Sequence, residues 1–147
     1  MDMPEEPLTD HEFEALSAFR FEIRRFLAFS ETNARAAGLT VQQHQALLAI
    51  RGELGTPSIS TVAERLLIEH HSASELVKRL EGRGLVLRER DPHDRRRVTL
   101  ELTQEAQEIL VRLSTIHRAE IRRMQPTLSR LLNRLVRLSD RRSEGAP

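Results

Sequence analysis

The sequence predicts a mainly α fold with one small β-hairpin (α+β), and three observations lead there. Long stretches place apolar residues at three- and four-residue steps behind N-capping signals. One pair of short segments alternates apolar and polar residues about the turn "DPHD". At 147 residues the chain suffices for one compact domain with its own core.

The first helix opens at Thr9 and Glu12, which have capping-box spacing, and carries Leu16, Phe19, Ile23, Phe26 and Leu27 at helical steps until Gly38 ends it. It holds all five phenylalanines. A second capping box, Thr40 to Gln43, introduces a helix whose Ala46, Leu47, Ile50 and Leu54 form one stripe before Gly55 and Pro57 break the chain. Two short helices follow. One is "SISTVAERLLI", capped by Ser60 or Thr61; the other is "ASELVKRLEGRG", introduced by a Ser72–Glu75 box and closed by Gly82 or Gly84. "LVLRER" and "RRVTLEL" then make the hairpin. From Thr103 a further helix runs on, with Pro126 expected to end or kink it.

Composition removes several function classes. Net charge is +1, which excludes a uniformly basic nucleic-acid coat. The charge is unevenly placed, however: residues 1–33 carry eight acidic and three basic side chains, whereas residues 60–100 carry seven acidic and nine basic. A local cationic surface is therefore open. With no cysteine, thiolate metal sites and thiol redox sensing are absent. No apolar run approaches the ~20 residues of a membrane span, and "MDMPEEPLTD" is acidic where a secretory signal would be basic and then apolar. The expectation is a soluble cytoplasmic protein.

The chemistry concentrates between residues 70 and 102. On the helix from Ser72, the residues Ala73, Leu76, Val77 and Leu80 share an inner face, while His71, Ser74, Glu75 and Lys78 point outward, with Ser72 and Arg79 at the flanks. Short hydroxyls, a histidine and the positive end of a helix suit docking against phosphates and base edges in a major groove, and the two-helix unit fits a helix-turn-helix. In the following strand Val98, Leu100 and Leu102 share the inward parity, which Arg96 also has, leaving Arg97 outward and Arg95 at the bend. Arginines at the tip of a projecting ribbon can reach a minor groove. Asp91 and Asp94 are expected to brace these guanidiniums, or Arg79, by bidentate pairing.

These residues carry a resemblance. "GLTVQQHQALLAI" and "VAERLLIEHHSASELVKRLEGRGLVLRERDPHDRRRVTLELT", over about residues 38 to 106, resemble the MarR family of winged helix-turn-helix transcriptional regulators. The resemblance implies one MarR-like domain over 1–147, with a DNA-binding region at 38–102 flanked by dimerisation helices at 9–37 and 103–140. It implies a homodimer on a pseudo-palindromic operator in double-stranded DNA, most often as a repressor, and a small effector that weakens binding. Three positions depart from the family pattern. Glu75 stands where a basic or amide residue is common, Ala106 where a glycine is usual, and His70 and His71 in a turn that more often carries charged or hydroxyl residues.

Plainer readings stand beside these. The arginine run could be a solvated charge cluster, with Arg96 the most structural of the three, and Arg79 could serve a salt bridge to Asp94. His70, His71, His93 and Asp94 invite a metal reading, but adjacent histidines do not share a helix face, so no metal or other cofactor is expected. Nothing points to an enzyme: there is no Gly-rich phosphate loop, cysteine nucleophile or Ser–His unit. The alternative is a winged-helix protein-interaction module without ligand response, although its outer face shows no large apolar anchors. For an effector, an aromatic or apolar acid is expected between the first helix and the winged region, near Phe19, Arg20, Arg24, Phe26, His44 and Arg51.

Overall fold

The computed structural model describes residues 7–144. The acidic first six residues and the last three lie outside it. The order is α1 (Asp10–Ala36), α2 (Val41–Gly52), α3 (Ile59–Leu66), α4 (His70–Gly82), β1 (Val86–Arg90), β2 (Val98–Leu102) and α5 (Gln104–Glu144). The chain forms two compact units: Ser30–His117, and the residues up to Phe29 together with those from Arg118.

Within the Ser30–His117 unit, α2, α3 and α4 pack with the hairpin around one apolar core. Leu47, Val62, Val77, Leu80, Leu85 and Val86 are almost wholly buried there. The expected periodicities survive. Ala73, Leu76, Val77 and Leu80 are the buried face of α4, and β2 buries Leu100 and Leu102 while Val98 is half-buried. The strands pair antiparallel, with Arg88 opposite Leu100 and Arg90 opposite Val98.

Local chemistry sets the boundaries. Thr40 and Gln43 exchange side-chain to backbone bonds at 3.1 and 3.0 Å, the reciprocal box expected at α2. Thr9 and Glu12 do the same at α1. Gly38, at φ +80°, lets the Leu39 N–H reach back to the Ala34 carbonyl and close α1. Gly84, at φ +70°, does so for α4, where the Leu85 N–H donates to Leu80.

Three expected boundaries are corrected. The cap of α3 is Ser58 rather than Ser60 or Thr61, in a reciprocal box with Thr61. The same stretch of chain adds to the sheet edge, since Ser58 bridges Thr99 and the Leu100 N–H donates to the Pro57 carbonyl. At α4 no Ser72–Glu75 box forms. The helix begins at His70 behind Glu69, whose side chain makes no cap bond, because the Ala73 N–H already donates to the Glu69 carbonyl and places Ser72 inside the first turn. Finally, α5 continues through Pro126. Proline removes one N–H, and the Arg122 and Pro126 side chains are exposed, so water can satisfy the carbonyl left without a partner.

In the other unit, Ala15, Met124 and Leu131 are buried, and Arg134 of α5 reaches the Glu14 carboxylate of α1 at 3.3 Å. The Arg134 guanidinium holds the Glu14 carboxyl below its ordinary range. Phe13, Phe21, Ile23, Leu27, Ile121, Leu132 and Val136 remain exposed in this unit. Among the described residues, no helix is long and apolar enough to cross a membrane.

Candidate nucleic-acid interface

The helix-turn-helix is made by α3, a turn at Leu67–Glu69, and α4. Leu67 adopts the left-handed conformation (φ 55°), and the Ile68 N–H returns to the Ala63 carbonyl at 3.1 Å. With the apolar face of α4 buried, the opposite face is forced into solvent. His71, Glu75, Lys78 and Arg79 are exposed and Ser72 and Ser74 half-buried. Glu75 and Lys78, three residues apart, form an ion pair at 3.4 Å.

The loop joining the strands is built by its aspartates. The Asp91 carboxylate accepts from the His93 N–H at 2.8 Å, and the Asp94 carboxylate accepts from the Arg96 N–H at 3.0 Å, both bonds of the Asx-turn kind. The Arg97 N–H donates to the Asp94 carbonyl, which makes Asp94–Arg97 a β-turn with Arg95 and Arg96 at its two central positions. The Asp91 N–H donates to the Arg97 carbonyl and extends the ladder by one rung.

The expected guanidinium bracing is thereby corrected: Asp91 and Asp94 form no ion pair with Arg79, Arg95, Arg96 or Arg97 among the described residues. An Asx-turn consumes a carboxylate oxygen on a backbone N–H two residues on, so the side chain curls into its own loop instead of reaching a neighbour. Arg96 is also not on the inward face of the strand, because β2 starts at Val98 and Arg96 lies exposed in the turn. The arginine that is tied to the protein is Arg97, whose Nη2 donates to the Thr56 carbonyl at 3.2 Å.

A cleft of about 460 Å³ between the start of α3 and the hairpin brings the two halves of the surface together, with Ser60, Glu64 and His70 on one side and Asp94, Arg96 and Arg97 on the other. Among the described residues, no group of three or more His, Cys, Asp or Glu side chains could hold a metal ion.

Other candidate residues are distributed between the units. Phe19 and Phe26 are half-buried and Arg20 and Arg24 exposed, all in the terminal-helix unit. His44 and Arg51 belong to the Ser30–His117 unit, Arg51 exposed and His44 buried. The His44 ring packs against that of His117 with centroids 5.0 Å apart, and the His117 Nδ1–H donates to the Leu113 carbonyl. Burial and the neighbouring His117 push the His44 pKa down.

Sequence reasoning missed Arg83. Its Nη1 donates to the Gly38 carbonyl at 2.7 Å and to Gln43 Oε1 at 2.9 Å, so the end of the outward-facing helix is tied to the start of α2. No local signal marks it, since both partners lie 40 or more residues away.

Comparison with known proteins places this surface in a family. The MarR family model matches residues 37–97. The chain is 29% identical over 118 residues to YkoM, an HTH-type transcriptional regulator of Bacillus subtilis (strain 168), covering 78% of this chain and 76% of that one. It is 36% identical over 72 residues to the transcriptional regulator HosA of Escherichia coli O111:H-, covering 49% and 53%. Among solved structures it resembles AbsC, a MarR family transcriptional regulator from Streptomyces coelicolor, with a TM-score of 0.72, 23% identity and 95% and 99% of the two chains covered. It resembles the S. aureus MepR F27L mutant bound to an oligodeoxyribonucleotide (0.62, 19%, 80% and 94%). It also resembles CouR from Rhodococcus jostii RHA1 bound to p-coumaroyl-CoA (0.59, 25%, 67% and 69%). With a helix-turn-helix whose outer face is free and a hairpin that presents arginines, the chain belongs to the MarR family of winged helix-turn-helix, DNA-binding transcriptional regulators, which are not enzymes.

Proposed function

We propose that the protein is a homodimeric repressor that binds a pseudo-palindromic operator, with α4 in the major groove and the arginine turn against flanking phosphate or minor groove. The observation that carries this reading is the turn itself. Its carboxylates are engaged by backbone N–H groups, while Arg95 and Arg96 stand exposed at the two central positions with no ion pair among the described residues. The turn fixes the backbone that carries the two arginines, and their guanidiniums face solvent with no carboxylate among the described residues to compete with a phosphate. The solved MepR mutant with its oligodeoxyribonucleotide supports a DNA partner.

Dimerisation follows from Phe13, Phe21, Ile23, Leu27, Leu132 and Val136, apolar side chains that the terminal-helix unit leaves in water. Two copies then present α4 to half-sites about one helical turn, ~10 bp, apart. A stable monomer in sedimentation at micromolar concentration would remove both dimer and palindrome. The effector is a small aromatic or apolar acid that lowers operator affinity; CouR with its p-coumaroyl-CoA supports the aromatic part of this reading. It releases DNA by preferring the conformation that does not bind it. Thermal-shift and calorimetric screens of aromatic acids test it; no binder, with operator affinity indifferent to all of them, would end it.

The decisive experiment replaces Arg95 and Arg96, the two exposed arginines of the turn, together with alanine. Affinity for many duplexes should fall alike, and the slope of log K against log salt should flatten by ~0.9 for each phosphate that the protein ceases to neutralise. Retention of wild-type affinity and slope by a folded, dimeric variant would make the hairpin merely structural.

A further inference from the structure

The outward face of α4 carries a carboxylate where a DNA-reading surface is least expected to hold one. Glu75 Oε1 lies 3.4 Å from Lys78 Nζ, and the two side chains are 58% and 55% exposed. Ala73, Leu76, Val77 and Leu80 are buried on the opposite side of the helix, so the pair cannot turn inward.

A carboxylate is repelled by phosphates and by the acceptor atoms that dominate base edges. It is tolerated in a major groove only opposite a hydrogen-bond donor, and that groove offers two, cytosine N4 and adenine N6. They are not equivalent. Adenine N6 lies between two acceptors, its own N7 and thymine O4, whereas cytosine N4 has guanine O6 on one side and a carbon-bound hydrogen on the other. Cytosine therefore presents the donor with half the repulsion. On that same C·G pair, the atoms beside N4 are guanine O6 and N7, both acceptors, and an ammonium is what they take. An acceptor and a donor held side by side match a donor followed by acceptors.

We propose that Glu75 and Lys78 act as one coupled reader of a single C·G pair in each half-site, Glu75 accepting from cytosine N4–H and Lys78 donating to guanine O6 and N7. This rests on the reading that α4 enters the major groove. The ion pair brings the two side chains together on one face of α4 before DNA arrives, and the lysine offsets the carboxylate's charge as it approaches the phosphates.

The test is selection of bound fragments from random duplex DNA by the full-length wild type, Glu75→Gln, Glu75→Ala and Lys78→Ala, with circular dichroism to confirm folding. Wild type should enrich C·G at one position of each half-site. Glu75→Gln should move that position toward A·T, since an amide pairs with adenine N6 and N7, and leave the others unchanged. Glu75→Ala and Lys78→Ala should each lose the preference there, with affinity for the C·G operator down about tenfold or more. Replacing the operator cytosine by a nucleoside lacking the N4 amine should weaken wild type to a similar degree and leave Glu75→Ala unmoved. One motif shared by wild type and both Glu75 variants, or a wild type indifferent to the missing amine, overturns the proposal. If wild type binds every duplex equally with a steep salt dependence, this reader fails while phosphate binding stands. If it binds no duplex at all, the proposed function fails with it.

Discussion

Leu67 is the described non-glycine residue held at positive φ, and the residue is 92% exposed, so it gains almost nothing from packing. A non-glycine residue in the left-handed region sets its Cβ against the following carbonyl, at a cost of roughly 1 to 2 kcal/mol, which glycine avoids. Leu67→Gly should therefore raise stability by about 0.5 to 1 kcal/mol in urea unfolding, after the extra freedom glycine adds to the unfolded chain. Equal or lower stability would mean that the turn is not strained. Arg83 is the opposite case: an exposed residue whose guanidinium joins two segments far apart in sequence. Inspection of its neighbours, Gly82 and Gly84, reveals the helix end but not the clamp. Exposure alone thus says little about either residue, and the backbone conformation and the hydrogen bonds decide.

At the scale of the element, Thr103 holds the junction between hairpin and α5. Its hydroxyl donates to the Gly84 carbonyl at 2.8 Å and accepts from the Ala106 N–H at 3.3 Å, while its own N–H donates to the Leu85 carbonyl. Thr103→Val keeps the shape and deletes both hydroxyl bonds, and should cost about 1 to 2 kcal/mol, whereas Thr103→Ser should recover most of it. Equal stabilities for the valine and serine variants would show that shape, not hydrogen bonding, matters there. The helices of this chain were legible because periodicity and capping act within a few residues. Thr9–Glu12, Thr40–Gln43 and the glycine ends of α1 and α4 all fall where local pattern puts them. Ser58 was not, because two hydroxyl residues of the same stretch, Ser60 and Thr61, offered equally good caps, and the choice is made by the bridge from Ser58 to Thr99 on a distant strand.

At the scale of the molecule, the buried His44–His117 pair links α2 to α5 within the Ser30–His117 unit and makes stability depend on pH. The interior accepts the neutral His44 ring, so its pKa lies below the ordinary 6.5, through desolvation first and then the charge of His117. The unfolded chain consequently takes up the proton first as pH falls below about 6.5, and stability present in full above that value is lost toward the lowered folded pKa. Melting temperature should drop between about pH 7.5 and about pH 5.5, and His44→Gln should flatten that drop. A wild type whose melting is independent of pH over this window would show that the folded and unfolded chains take up the His44 proton equally, with no penalty from burial.

What the amino-acid sequence determined by itself was the list of elements, the buried faces of α4 and β2, and the family, since these depend on spacing within single segments, whereas Leu16, Ile23 and Leu27 of the expected α1 stripe and Leu54 of the expected α2 stripe are exposed. The outward residues of α4 followed from the same periodicity, because burying Leu76, Val77 and Leu80 leaves Glu75 and Lys78 no other side. Only tertiary structure decided where the charges go. Arg97 finds the Thr56 carbonyl and Arg83 finds Gly38 and Gln43, partners 40 or more residues away, whereas Asp91 and Asp94 make only local bonds two residues along their own loop. A charged side chain has several partners of similar energy within reach of its sequence neighbourhood. The folded backbone selects among them by bringing one carbonyl or N–H to hydrogen-bonding distance and leaving the others in water.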